Sequence, residues 1–528
     1  MVGHSFEKYE YETFGARSDN YANEAFPSSS FDLITSGTQI YANSIGYNAY
    51  ALESYFFRGA ANWDNRYILN VSFRTDGSSR FPKNNRYGFF PAGSLAWIIS
   101  NEKFMPQSDV LNELKLRLSV GQTGSMAGIG NWAAMSLVGA GASYDGASGF
   151  AISSSAQDLK WEKSTKYNVG VDFELFSGRL YGNLDAYYSR TDDLLYAKPV
   201  HATTGWTSLT SNIGSINNVG VELNIGGRVI DREFKWDLSG NFSWGKNTLV
   251  KLLDDTDIII LSDSNLYGGN KHALIINQPI STWYMLKADG IYQRDEDVPE
   301  KLYAKGVRAG DMIYEDVNGD GDITYDADRQ ICGKATPDFF GGITSTMSWK
   351  GIDLNIFCQY SIGGKVFSAW KGAGQEGTEH LGLSSGSVNM DGADVTSYFN
   401  VSRHAALNYW RGEGSSNTVP RPILSGAHTG YDTDYNILTS SRFLEDASFF
   451  KIKTVTLGYN FPQKWMEKAK LGGIRVYLSI DNAFTFTKYS GYDPEVSMNA
   501  GPAHAKYGTD FGYQPTMRSF LAGVQFKF

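Results

Sequence analysis

The chain has 528 residues, a formal net charge of −9 at pH 7 and an aromatic content of 14%. No stretch approaches the roughly 18 consecutive apolar residues of a membrane-spanning helix, which excludes a helical membrane protein. The acidic balance argues against nucleic acid as a partner, because binding to phosphates calls for a basic surface.

The start of the chain lacks the features of a signal peptide, since the sequence MVGHSFEK has no basic segment followed by an apolar one. Residues 8–14 already alternate between side-chain types in the manner of a strand. These two observations predict that the sequence is a fragment, beginning partway through a larger architecture.

Period-two alternation of apolar and polar residues predicts strands along much of the chain. The clearest examples, in chain order, are residues 114–121, 180–188, 234–244 and 475–481. Several runs exceed the ~5–6 residues of strands in soluble sheets and approach the ~9–11 residues of a tilted membrane strand. We count about fifteen strands, with an uncertainty of about two. Together with the abundant Gly and Tyr, this predicts an all-β fold.

The predicted connections fall into two classes. Tight turns join strands at residues 177–178, 231–233 and 350–351. Long polar stretches occupy residues 249–279, 294–336, 366–441 and 488–516. Short turns on one side and long loops on the other are typical of outer-membrane barrels. The last segment, residues 520–528, alternates and ends in Phe, which resembles the signal by which such barrels are recognised for assembly.

Several segments resemble the SusC/RagA family of TonB-linked outer-membrane transporters. In chain order they are residues 66–81 (RYILNVSFRTDGSSRF), 85–97 (NRYGFFPAGSLAW), 114–124 (LKLRLSVGQTG), 159–164 (LKWEKS), 316–321 (DVNGDG) and 443–453 (FLEDASFFKIK). They follow the family's order from near residue 50 to the C-terminus. The ordered set, rather than any single motif, carries the resemblance.

The resemblance implies a large antiparallel transmembrane β-barrel of about 22 strands, with long extracellular loops. Residues 1–528 are then an incomplete, C-terminal part of that barrel, as one domain without its plug. Transport would be energised by the TonB complex, acting on N-terminal and plug segments that are not recognisable here. The expected partners are a SusD-like surface lipoprotein, outer-membrane lipid and an oligosaccharide or peptide ligand.

The Asp-rich segment at residues 316–324 is the sharpest local motif. It places oxygen-bearing side chains at alternate positions with Gly321 at the sixth, a spacing that suits Ca²⁺. The candidate ligands are Asp316, Asn318, Asp320, Asp322 and Asp328. The twelfth position, where a Ca²⁺-binding loop usually has Glu, is Ala327. The alternative is an Asx-rich loop that is stabilised by its own hydrogen bonds.

Three tryptophans in the predicted loops, Trp206, Trp370 and Trp410, are candidate platforms for sugar rings. The alternative interpretation is that they pack loops together or lie in the interfacial belt of the membrane. Strings resembling a dinucleotide fingerprint (372–377) and a nucleophile elbow (382–386) lack the strand-and-helix context that gives each its chemistry. We therefore predict that the chain is not an enzyme and requires no cofactor, with a structural Ca²⁺ in the Asp-rich segment as a candidate only.

Two other functional classes remain open at this point. A passive porin or siderophore-type receptor would share the barrel but not the ordered motifs. A soluble, secreted carbohydrate-binding β-protein would share the alternation, but its apolar strand faces would meet in a dry core. The transporter prediction requires one strand face to be apolar and exposed, and the other to be polar.

Overall fold

The structure is a computed structural model, and strands dominate it. It describes residues 1–21, 37–106, 108–144, 147–152, 158–201, 203, 208–252, 256–261, 271–371, 403–422, 428–430, 435–469, 471–495, 507–510 and 514–527. Among these residues, no helix is both long and apolar enough to cross a bilayer.

The strands, in chain order, are β1 (Val2–Tyr21), β2 (Gly37–Trp63), β3 (Tyr67–Ser78), β4 (Tyr87–Ile98), β5 (Leu111–Ser125), β6 (Val138–Tyr144), β7 (Ala147–Ile152), β8 (Glu162–Leu175), β9 (Leu180–Asp192), β10 (Leu195–Pro199), β11 (Ser208–Asn212), β12 (Ser215–Asp231), β13 (Phe234–Lys251), β14 (Ile258–Ile260), β15 (His272–Ile275), β16 (Thr282–Leu286), β17 (Ala288–Ile291), β18 (Met312–Tyr314), β19 (Arg329–Lys334), β20 (Phe339–Trp349), β21 (Ile352–Ile362), β22 (Lys365–Ser368), β23 (Leu444–Asp446), β24 (Phe449–Asn460), β25 (Gly473–Thr487), β26 (Thr509–Asp510) and β27 (Ser519–Lys527). The α-helices are short: α1 (Glu300–Ala304), α2 (Tyr325–Asp328), α3 (Arg403–Asn408) and α4 (Gln463–Ala469). Single 3₁₀ turns occur at Lys83–Asn85, Ile99–Asn101, Asp295–Asp297, Ala369–Lys371, Tyr435–Ile437 and Ser441–Phe443.

Fourteen strands form one large sheet in the order β1-β2-β3-β4-β5-β8-β9-β12-β13-β20-β21-β24-β25-β27. Its order follows the chain, with each strand hydrogen-bonded to the next, as in up-and-down barrels. The strand pairs have antiparallel registers, for example β13 with β20 and β24 with β25. The predicted all-β antiparallel fold is therefore confirmed, and the fourteen strands fall within the predicted range.

The tight turns lie where the sequence predicts them. Ser177 and Gly178 have φ values of 57° and 78°, and Lys350 and Gly351 have 47° and 90°. These left-handed values are accessible to glycine at little cost, which explains the glycine in each turn. At Gly351 a Cβ atom would also lie 2.7 Å from the carbonyl oxygen of Asn460.

The two faces of the sheet differ in chemistry. Across six neighbouring strands, the registers align Trp236, Met347, Leu354, Leu457, Leu478 and Ala522 in one row. Leu457 and Leu478 are 50% and 62% exposed. The next row, on the opposite face, is Asp237, Thr346, Asn355, Thr456, Ser479 and Leu521. One face is therefore apolar and exposed while the other is largely polar, as the transporter prediction requires.

Two compact units can be distinguished along the chain. The first comprises residues 1–96, 119–167 and 190–215. Its core contains Phe81, Phe90 and Trp161, with the rings of Phe81 and Trp161 4.8 Å apart. The rings of Phe57, Phe73 and Phe89 stack in a row on the exposed apolar face. Beside this row, the hydroxyls of Tyr55 and Tyr87 donate to Glu53 at 2.7 and 2.6 Å, an arrangement typical of the membrane interface.

The second unit comprises residues 97–118, 168–189 and 216–528. Its long connections carry small sheets of their own, one of four strands (β14-β15-β16-β19), one of three (β23-β22-β26) and one of two (β17-β18). The described parts of the predicted loops at residues 249–279, 294–336 and 366–441 therefore include strands, short helices and 3₁₀ turns. The predicted polar stretches thus also contribute apolar residues to buried clusters, because segments distant in sequence meet there.

Candidate functional site

The polar face of the second unit bounds a cavity of about 680 Å³. The cavity lies where β13 passes its midpoint and where β20, β21 and β24 meet the long loops. Side chains with hydrogen-bonding groups line its sheet side: Glu222, Asn224, Asn241, Ser243, Gln359 and Ser361. The segments 494–495 and 507–508 also line it. This volume falls within the ~300–1,000 Å³ of small-ligand sites.

Aromatic rings complete the cavity wall. Phe340, Phe357 and Tyr507 line it and are 49%, 37% and 43% exposed, while Phe449 is buried. Burial, followed by the nearby charge of Glu495, raises the pKa of the Tyr507 hydroxyl, which therefore stays protonated at neutral pH. Ring faces combined with amide, hydroxyl and carboxylate groups suit a ligand that has both apolar and hydrogen-bonding surfaces.

The loops of the second unit share a buried apolar cluster. It comprises Leu286, Ile291, Tyr292, Val298, Leu302, Val307, Met312, Tyr314, Ile323, Tyr435 and Leu438. Burial, followed by the charge of Asp316, raises the pKa of Tyr292 to about 12. The Tyr314 hydroxyl donates to the carbonyl oxygen of Tyr435 at 2.9 Å. This cluster joins the segments 286–323 and 435–438 into one body.

A buried carboxylate, Asp311, ties the same segments together. Its side chain is fully buried and accepts from both Nε and Nη2 of Arg421, at 2.8 and 2.9 Å. The Nδ2 of Asn436 donates at 2.9 Å, and the Nε2 of His428 lies 3.1 Å away. The backbone N–H of Tyr435 points at His428 Nδ1 at 3.3 Å, so Nε2 carries the proton. Burial alone would raise the pKa of Asp311, but the bonds from His428, Arg421 and Asn436 hold it below its usual value.

The structure places the five predicted calcium ligands in one hydrogen-bonded loop. Asp316 accepts from the backbone N–H groups of Gly319 and Gly321, both at 2.7 Å. Asp328 accepts from the N–H groups of Val317 and Thr324, at 3.0 and 2.7 Å. These are the hydrogen bonds of an Asx-rich loop.

The remaining three predicted ligands are similarly occupied. Asn318 accepts from the Asp320 N–H at 3.0 Å, and Asp320 from the Asp322 N–H at 2.8 Å. Both oxygens of Asp322 accept from Lys305 Nζ, at 2.7 and 2.8 Å. In the described part of the chain, no three His, Cys, Asp or Glu side chains are grouped so that they could hold a metal ion. These hydrogen bonds describe the loop as it stands, and calcium binding stays a prediction.

Of the three candidate tryptophans, the structure describes the side chain of Trp410. Trp410 is half-buried, packs against the loop cluster and donates from Nε1 to Gln293 at 3.1 Å. That contact favours the loop-packing interpretation for this residue. Trp206 lies outside the described residues, as do the strings at 372–377 and 382–386, and the side chain of Trp370 is likewise not described.

The sequence did not single out the cavity residues or Asp311. Glu222, Asn241 and Gln359 occupy polar positions of alternating strands. The alternation therefore predicts that they lie on the polar face of the sheet, but it does not predict that they line the same cavity. Asp311 and His428 lie in stretches without strand or helix patterning. Their pairing spans 117 residues of sequence, and no local pattern indicates it.

Comparison with known proteins gives the family. The profile of the family described as "TonB dependent receptor-like, beta-barrel" matches residues 2–483. TonB-dependent receptor P3 of Formosa agariphila is 32% identical over all of this chain and 50% of its own length. TonB-dependent receptor SusC of Bacteroides thetaiotaomicron is 31% identical over 90% of this chain and 44% of its own length.

Solved structures agree with the sequence comparison. The structure of the RagAB peptide transporter superposes with a TM-score of 0.78 and 25% identity, covering all of this chain and 53% of that one. The chain thus spans about half the length of the relatives that it matches. The predicted SusC/RagA resemblance is confirmed, and the chain belongs to the TonB-dependent receptor-like β-barrel family.

Proposed function

We propose that this chain forms barrel wall and extracellular loops of a TonB-dependent importer in the bacterial outer membrane. The observation that carries the proposal is the division of the sheet into an exposed apolar face and a polar face that bounds the cavity. The apolar face suits contact with lipid, and the polar face suits passage of a hydrophilic ligand. Similarity to SusC and to the RagAB peptide transporter supports import rather than passive diffusion.

The proposed cargo is an oligosaccharide or a peptide. Both have hydrogen-bonding groups for Glu222, Asn241 and Gln359, and both offer surfaces for the rings of Phe340 and Phe357. The name of the RagAB transporter favours a peptide for that protein, and the chemistry of this cavity accommodates either class. The proposed partners are a SusD-like surface lipoprotein over the loops and the TonB complex as the energy source.

The proposal can be tested by measuring uptake in cells whose only transporter of this family is this protein. Labelled oligosaccharides and peptides should be taken up, and a protonophore should abolish uptake because TonB coupling needs the proton gradient. Phe357→Ala should weaken uptake affinity by roughly tenfold, as expected for an aromatic ring that packs against a bound ligand. Thr346→Ala, on the same polar face but outside the cavity lining, is the matched control. Uptake that survives the protonophore would refute active import.

The lipoprotein is tested separately. An affinity tag on this protein should retain a surface lipoprotein through detergent extraction, and mass spectrometry should identify it. Recovery of the tagged protein alone, from cells in which uptake is active, would remove the lipoprotein from the proposal without touching import.

Calcium is the remaining prediction for the Asp-rich loop. Calorimetry of the purified protein with CaCl₂ should show heat that Asp316→Ala and Asp320→Ala both remove, because a bound cation would need these carboxylates. If no calcium-dependent heat is observed, the hydrogen bonds from backbone N–H groups and Lys305 alone account for the loop.

A further inference from the structure

The segment that closes one side of the cavity is fixed to the sheet by a buried ammonium group. Lys451 lies on β24, and its side chain is only 3% exposed. Its Nζ donates to Asp493 at 2.6 Å and also contacts a carboxylate oxygen of Glu495. The side chain of Asp493 is 5% exposed, so both members of this pair lie away from solvent.

Neighbouring polar groups complete the attachment. Lys453 Nζ lies 3.2 Å from Glu495, and Gln359 Nε2 donates to the other oxygen of that carboxylate at 3.2 Å. Thr516 donates to Asp493 at 2.7 Å. Two ammonium groups thus face two carboxylates, and the cluster is neutral. Burial alone would raise the pKa of Asp493, but the bonds led by that from Lys451 lower it.

A second attachment holds the far end of the same loop. Residues 509–510 pair in parallel with β22, and the N–H of Phe367 donates to the carbonyl oxygen of Gly508 at 2.8 Å. The Tyr489 hydroxyl donates to Asp510 at 2.6 Å. Of the residues that line the cavity, 494–495 therefore lie at the first attachment and 507–508 at the second.

We propose that Lys451 is a positioning residue that holds the segment 493–495 as a fixed wall, and that this wall sets the largest solute that can reach the cavity from outside. The inference deepens the proposed import function by naming the group that limits ligand size. Removing the Lys451 charge leaves Asp493 buried without its main counter-ion, which is strongly unfavourable. The segment then leaves the sheet, and the entrance widens.

Size-graded thiol labelling tests the proposal on intact cells. In a background with Cys332→Ala and Cys358→Ala, the reporter Ser243→Cys places a single thiol in the cavity lining. A small maleimide should react in every variant, while a bulky polyethylene-glycol maleimide should react only where the wall is open. In Lys451→Met we expect the bulky-to-small rate ratio to rise by roughly a hundredfold, the factor that corresponds to a broken buried pair.

Three further variants make the outcome decisive. Lys453→Met should leave the ratio within about threefold of the parent protein's value. The Lys453 ammonium is partly exposed, and Glu495 still forms its ion pair with Lys451 in this variant. Lys451→Arg keeps the charge and should restore exclusion. If Lys451→Met does not assemble, as judged by the heat-modifiable band on gels, Asp493→Asn replaces it.

An unchanged ratio in assembled Lys451→Met or Asp493→Asn overturns the inference, and so does an equal rise in Lys453→Met. The labelling requires no transport. Failure of the protonophore and uptake experiment would therefore refute import without contradicting the proposed role of Lys451. Failure of the labelling experiment alone would refute only the role of Lys451.

Discussion

Replacing Asp311 with alanine removes the acceptor that holds three loop segments together. The carboxylate accepts two bonds from Arg421, one each from His428 and Asn436, and a fifth from the Arg308 N–H at 2.8 Å. In Asp311→Ala the guanidinium loses its counter-ion, and buried donors on His428 and Asn436 lose their acceptor. We expect the loops around the cluster to open locally while the sheet stays intact.

The size of the effect follows from the burial of the pair. Removing one partner of a buried ion pair costs roughly 3–5 kcal/mol. The Arg421 side chain is 29% exposed and regains some hydration, so we take the lower end, about 3 kcal/mol. That corresponds to a rise of roughly a hundredfold in the population of the opened loops.

Hydrogen–deuterium exchange read by mass spectrometry measures this opening. Peptides covering residues 307–314 and 435–438 should lose protection in Asp311→Ala, while peptides from β20 and β21 should not change. Asp297→Ala is the control, because the Arg294–Asp297 pair is 3.5 Å long and about half exposed. Loss of protection no greater than in this control would refute the assignment of Asp311 as the tie between the loops.

The pH dependence of the same protection has a defined sign. Because the folded pKa of Asp311 lies below its ordinary value of 3.8, ionisation stabilises the folded loops. This contribution is fully present above the unfolded pKa and is lost as the pH falls through the lower, folded pKa. After correction for intrinsic exchange, protection should hold from neutral pH to about pH 5 and decline only below about pH 4.

Three further substitutions test the fold. Leu238→Arg, on the exposed apolar face, should cost about 2–4 kcal/mol of folding free energy in lipid vesicles. Ser239→Arg, on the polar face, should cost far less. Equal costs for the two variants would contradict the assignment of the faces. Trp161→Ala should destabilise by about 3–5 kcal/mol, seen as a lower temperature for loss of the heat-modifiable band, because its ring is 6% exposed within the first core. Gly351→Val should cost about 1–3 kcal/mol in the same assay, given φ of 90°, and an unaltered band would show that the turn tolerates a side chain.

The sheet could be predicted because its determinants are local. Leu478 and Ser479 are adjacent in sequence and point to opposite faces, so period-two alternation contains the face assignment directly. Left-handed residues such as Gly178 and Gly351 mark the turns in the same local way. The number of strands followed from these two signals and from no long-range contact.

The loops could not be predicted because their determinants are distant in sequence. Asp311 meets Arg421, His428 and Asn436 across 110, 117 and 125 residues. Each of these residues sits in a polar stretch that reads as loop, and the apolar residues around Asp311 follow neither the strand period nor the helix period. Lys451 falls inside a family-like segment, 443–453, yet nothing in that segment indicates contact with Asp493.

The same physical constraint explains both outcomes. Because lipid requires every second residue of a spanning strand to be apolar, the alternating positions on the other face are free to carry polar or charged groups, as Asp237, Asn355 and Lys451 do. Those groups lie on a face that bounds a cavity rather than a packed core, so they bond either to one another or to loops that fold back onto them. The pair of Lys451 with Asp493 is the second case, and the lining around Glu222 supplies groups for a ligand. Loop attachment and ligand binding therefore use the same set of polar positions. A substitution at a buried position of this set will affect loop attachment, and a substitution at an exposed position that lines the cavity will affect ligand binding.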